Sequence, residues 1–147
     1  MSDIKAWHDR WRDGRIGFHA SDINPYLKAH WSQLAVPSDA SVFVPLCGKS
    51  LDLHWLAQRQ RQVVGVEISP IAIADFFADA GLSPSQKTSG TLSLWTCDNL
   101  TVIEGDFFAL SSSHLMGATS FFDRASLIAL PADVRRRYMA HLATLLP

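Results

Sequence analysis

The chain has only two cysteines, Cys47 and Cys97, among its 147 residues. Two thiols cannot build a disulfide framework or a cysteine-rich zinc centre, and the six histidines show no HExxH-type spacing. Metal is therefore not expected, and a reducing compartment is. No segment supplies the ~20 consecutive apolar residues of a membrane span, and the charged start MSDIKAWHDRW has no apolar signal core. A cytoplasmic protein is expected. Charge of one sign is also lacking: the formal net charge is -1, so nothing calls for nucleic acid or an anionic membrane as partner. What is plentiful is apolar surface, with 48% hydrophobic and 18% charged residues, enough for one globular domain around a real core.

No internal repeat or low-complexity tract divides the chain. Near the N-terminus, Ile4, Trp7 and Trp11 recur at helical spacing after Asp3 as a cap, with Gly14 placed to stop the helix. Asn24 and Pro25 open a second helix with Leu27, Trp31 and Leu34 on one face. The short β-branched runs 42–44 and 63–66 lack clean alternation, as parallel strands covered on both faces do. Between them Leu53, Leu56 and Ala57 form a helical stripe. Ser69-Pro70 caps a further helix carrying Ile73, Phe76, Phe77 and Ala80, with Gly81 at its end. Runs 92–97 and 100–104 flank Asp98-Asn99 as one antiparallel hairpin, and the polar connector 83–93 reads as a surface loop. A strand near 118–122 and a final helix with Val134, Tyr138, Leu142 and Leu145 complete an α/β domain with a mostly parallel sheet.

Residues 42–69, VFVPLCGKSLDLHWLAQRQRQVVGVEIS, have the layout of a nucleotide-binding βαβ unit. Gly48 lets the turn approach a ligand, and Glu67 follows it by 19 positions, near the ~20 expected for an acid that accepts from ribose. The turn PLCGKS has one glycine, so it is neither GxGxxG nor a P-loop. A compact nucleoside cofactor such as S-adenosylmethionine suits it better than a nicotinamide dinucleotide. An acid at the end of a buried strand needs a donor, either a ribose diol or the following helix or a lysine. Asp106 can accept from an adenine amine or cap a turn. Asp123-Arg124, at another strand end, can hold an anion or cap the segment ASLIAL. Trp7, Trp11 and Phe18 read either as a core stripe or as an aromatic lid that excludes water and faces a sulfonium. His54 reads as a packed histidine, and Cys47 as a packed thiol.

Taken together, WHDRWRDGRIGFH (7–19), VFVPLCGKSLDL (42–53), VVGVEIS (63–69), GDFF (105–108) and FDRASLIALP (122–131) resemble the bacterial thiopurine S-methyltransferases, within the class I S-adenosylmethionine-dependent methyltransferases. The resemblance implies a Rossmann-like three-layer sandwich over 1–147, with a helical lid region (1–36) on a core (37–147). It implies that Trp11, Leu46, Glu67 and Arg124 contact S-adenosylmethionine, with Asp106 and Phe107 near the adenine and Phe18 facing the acceptor. With the residue-based readings of Trp7 and Gly48, these form the expected cofactor site; Arg124 is also the expected catalytic and substrate-binding group.

The implied reaction is methyl transfer to the sulfur of a thiopurine or an aromatic or heterocyclic thiol. Soft selenium or tellurium species, and hence detoxification and tellurite resistance, fit the same chemistry. Family members continue past the LLP of the last helix, so the resemblance implies C-terminal truncation and an open sheet edge at the strand before Asp123. That edge motivates a competing reading, a noncatalytic cofactor-binding or partner-binding domain. A monomer acting on small molecules is expected.

Overall fold

The β-branched runs become adjacent central strands. In the computed structural model, which describes residues 5, 8–9, 12–13, 25–45, 47, 51–123 and 132–146, six strands form one sheet. They are β1 (Ser41–Val44), β2 (Gln62–Glu67), β3 (Ser85–Ser89), β4 (Leu92–Cys97), β5 (Leu100–Glu104) and β6 (Ser120–Phe121), in the order β3-β4-β5-β2-β1-β6. β2 pairs in parallel with β1 and β5, and β6 pairs in parallel with β1; of these six strands only β4 runs against the rest.

Helices α1 (Pro25–His30), α2 (Asp52–Ala57), α3 (Pro70–Asp79) and α4 (Ala132–Leu145) complete the layers. The two-residue period of a strand divides the core. Val42 and Val44 join Leu53, Leu56, Ile73 and Phe76 under α2 and α3, whereas Phe43 joins Val64, Phe107, Tyr138 and Leu142 under α4. The result is the expected Rossmann-like three-layer α/β sandwich, with β1 and β2 buried on both faces.

Local signals explain most element ends. Ser69 caps α3, its Oγ accepting from Ala72 N at 3.2 Å, and Pro70 occupies the first turn. Gly81 adopts φ 70 just beyond α3, where a left-handed residue ends a helix. Asp98 has φ 53 in the β4–β5 turn, as that hairpin requires. At the amino ends of the strands, Gln60 Nε2 donates to Pro37 O (2.8 Å) and Ala40 O (3.2 Å), and Asn99 Nδ2 donates to Ala57 O (2.7 Å) and Gln60 O (3.0 Å). That end of the sheet is tied together by structural hydrogen bonds.

Three expectations are corrected. The connector 83–93 contains β3, so the sheet has two antiparallel pairings instead of one. All five β3 residues are exposed, and a strand covered on neither face carries no apolar alternation to reveal it. Leu34 does not continue the face of Leu27 and Trp31: α1 ends at His30, the tighter turn Trp31–Leu34 breaks the period, and Leu34 is 64% exposed. Ala80 likewise lies beyond α3 and is exposed. The strand expected at 118–122 is present but short, and it forms the sheet edge as anticipated. Lys5, His8, Asp9 and Arg12 are helical, with Lys5 Nζ 2.8 Å from Asp9; Trp7, Trp11 and the Gly14 stop lie outside the described residues.

Candidate functional site

Because β1, β2, β5 and β6 are mutually parallel, their carboxyl ends open on one side of the sheet, where ligands of open α/β sheets bind. β2 is the centre of that rim. Its last carbonyls extend the pairing into both neighbouring turns: Cys47 N donates to Val66 O and Gly105 N donates to Glu67 O, each at 3.0 Å. The exits of β1 and β5 are therefore held at fixed spacing on either side of Glu67.

Glu67 is 6% exposed, and its Oε2 accepts from Ser69 N at 2.9 Å. The cap of α3 and the orientation of the acid are thus one structure, which immobilises the carboxylate at the rim. Cys47 packs below it. Burial above all, and then the negative charge of Glu67, push the Cys47 thiol well above its usual range. Cys47 is accordingly a protonated packing group, as the sequence reading has it.

At the β5 exit, Asp106 Oδ1 accepts from Phe108 N at 3.0 Å and caps the turn Phe107–Ala109. The Phe107 ring is buried in the α4-side core, 4.9 Å from Tyr138 and 6.4 Å from Phe43. Beside Glu67 in register stands Glu104, whose Oε1 accepts from Trp95 Nε1 at 3.0 Å. At the β6 exit, Asp123 Oδ2 accepts from the Tyr138 hydroxyl at 2.8 Å. His54 belongs to the packing beneath the rim: its ring stacks on Phe76 at 4.4 Å and 8°, and burial lowers its pKa.

This arrangement of an acid at the β2 end between two anchored turns can be set beside known proteins. The family model for thiopurine S-methyltransferase matches residues 2–147. The chain belongs to the thiopurine S-methyltransferase family. It is 49% identical over 141 residues to the thiopurine S-methyltransferase of Pseudomonas paraeruginosa, covering 96% of this chain and 65% of that one. It is 47% identical over 145 residues to that of Xanthomonas campestris pv. campestris, covering 99% and 66% respectively. The chain thus spans 65% to 66% of the length of these curated relatives.

Among solved structures, a SAM-dependent methyltransferase from Anabaena variabilis superposes with a TM-score of 0.67 at 13% identity, over 97% of this chain and 57% of that one. The 1,6-didemethyltoxoflavin-N1-methyltransferase of Burkholderia thailandensis, solved with S-adenosylhomocysteine, gives 0.64 at 15% identity, over 97% and 56%. At such identities these likenesses establish the fold.

Of the site expected for a thiopurine S-methyltransferase, the structure brings Glu67, Asp106 and Phe107 to the same end of the sheet. Trp7, Trp11, Phe18, Leu46, Gly48 and Arg124 lie outside the described residues. Glu104 and the hydroxyl of Tyr138 were not anticipated at the rim. Helical spacing marks Tyr138 only as a core position, and its partner lies 15 residues away in a different turn, so no local pattern announces the bond.

Proposed function

We propose that the chain is an S-adenosylmethionine-dependent S-methyltransferase of the thiopurine type, and that the rim around Glu67 holds the cofactor. The observation that carries this reading is the buried Glu67 carboxylate, immobilised by Ser69 N between two anchored strand exits. The polar groups fit an S-adenosyl group: the fixed acid Glu67 can accept from a ribose diol, Asp106 can accept from an exocyclic amine, and Arg124 can donate to a carboxylate. Leu46 and Gly48 line the adenosine side with the backbone of the Phe107 turn near the adenine, while residues 1–36, with Trp7, Trp11 and Phe18, act as a lid over the core 37–147.

When bound, S-adenosylmethionine supplies an electrophilic methyl group to a sulfur nucleophile, with S-adenosylhomocysteine as the leaving product. Thiopurines and aromatic thiols ionise readily, so the protein's task is to orient and desolvate. Alignment of this kind is worth effective molarities of roughly 10⁵ M or more. Arg124 favours the acceptor as thiolate. Small selenium or tellurium species are acceptors of the same soft character, consistent with a detoxifying role for a cytoplasmic monomer. No helix among the described residues is long and apolar enough to cross a membrane.

Calorimetric titration with S-adenosylhomocysteine and with NAD, followed by a methyl-transfer assay on a thiopurine, tests the reading. Binding of the first ligand with turnover is expected, and binding of NAD alone overturns it. Cofactor binding without turnover would instead identify a noncatalytic cofactor-binding domain. Glu67→Gln keeps an acceptor for Ser69 N and loses the charge, so S-adenosylhomocysteine affinity should fall roughly tenfold or more while the melting temperature changes little.

A further inference from the structure

Tyr138 of α4 is fully buried, at 0% exposure. A phenyl ring would complete the α4 stripe equally well, and burying a hydroxyl is costly unless it finds a partner. Its partner is Asp123, the residue immediately before Arg124, at 2.8 Å. The same ring lies against Phe107 at 4.9 Å and 36°, and Phe107 begins the turn that Asp106 caps. One side chain of α4 therefore touches the exits of β5 and β6 together. The backbone ahead of Asp123 is already tied to β1, since Phe122 N donates to Phe43 O at 3.0 Å. The Tyr138 hydroxyl adds a side-chain anchor one residue later.

We propose that Tyr138 is a positioning residue: its hydroxyl holds Asp123, and so the exit of β6, in place relative to the Asp106 turn. The inference rests on the cofactor reading above and extends it from the rim to the helix beneath. The ring supplies packing, and the hydroxyl orients a carboxylate at a strand exit. Sequence spacing alone assigns the first role and is silent on the second.

Tyr138→Phe separates the two, because it retains the contact with Phe107 and deletes only the hydroxyl. Amide hydrogen exchange at Phe122 should accelerate about tenfold, with β2 and β5 amides unchanged, and S-adenosylhomocysteine affinity should fall by a similar factor. Asp123→Ala, which removes the acceptor, combined with Tyr138→Phe should weaken binding no further than Asp123→Ala alone, since the hydroxyl acts through that carboxylate. Leu145→Val, at another buried α4 position, is the control: it should lower global stability without changing exchange at Phe122 selectively.

Unchanged exchange at Phe122 in Tyr138→Phe overturns the positioning role. Accelerated exchange with undiminished cofactor affinity overturns it as well, because the anchored exit would then not serve the site. If the parent chain itself fails to bind S-adenosylhomocysteine, the proposed function falls, and the exchange measurement alone supports or refutes positioning by Tyr138.

Discussion

Gly65 shows how closely the turn after β1 is packed onto β2. A Cβ at this position would stand 2.9 Å from Cys47 Sγ and 3.4 Å from Leu53 Cδ2. Both neighbours are buried, so Gly65→Ala should destabilise the protein by about 1–3 kcal/mol, the usual cost of overpacking. Adding Cys47→Ala should recover part of that loss. Urea denaturation of the single and double variants checks the pair, and a double variant no better than Gly65→Ala would remove the thiol as the cause. Sequence identified Cys47 as a packing residue and Glu67 as the rim acid. It could not show that the two meet, because their proximity depends on the parallel register of β1 on β2, Val44 opposite Gly65.

At the scale of elements, α2 meets α3 through His54 and Phe76, whose rings stack at 4.4 Å. Burial of His54 disfavours its imidazolium and lowers its pKa. In the unfolded chain the ring protonates near pH ~6.5, and in the folded protein only at lower pH. Between those values the unfolded state binds more protons. The contribution of this residue to stability is therefore complete above about pH 6.5 and declines as pH falls toward the folded pKa. His54→Phe, which keeps a ring on Phe76, should flatten the fall in melting temperature between about pH 7 and pH 5. An unaltered slope would assign the acid sensitivity to other groups. Amphipathic patterns located α2, α3 and α4 because each buries an apolar face. β3 escaped the same logic, since its residues SQKTS form a polar edge exposed on both faces, with Lys87 at its middle.

At the scale of the whole molecule, the sheet formed by the described residues has two unlike edges. β3 is polar throughout, whereas β6 borders an apolar groove of about 550 Å³ that Phe121, Met139, Leu142 and Leu146 help to line. Phe121 is 39% exposed and Met139 45%. A contiguous apolar surface of this kind should bind the dye ANS in the native state. Phe121→Lys or Met139→Lys should reduce the fluorescence by at least about half, while Leu34→Lys, at an exposed position that does not line the groove, should leave it nearly unchanged. Equal responses from all three variants would mean that the groove is not a distinct binding surface.

Sequence by itself determined the class of the molecule: α/β patterning, a single-glycine turn followed by an acid, and the motifs of a methyltransferase family. These features are legible because they depend on local periodicity, capping chemistry and short spacing. Tertiary structure alone decided the second antiparallel pairing, the contact between Cys47 and Gly65, the seat of the Phe107 ring in the core, and the bond from Tyr138 to Asp123. Each joins residues distant along the chain, so it exists only once strand register and helix docking have set the distances.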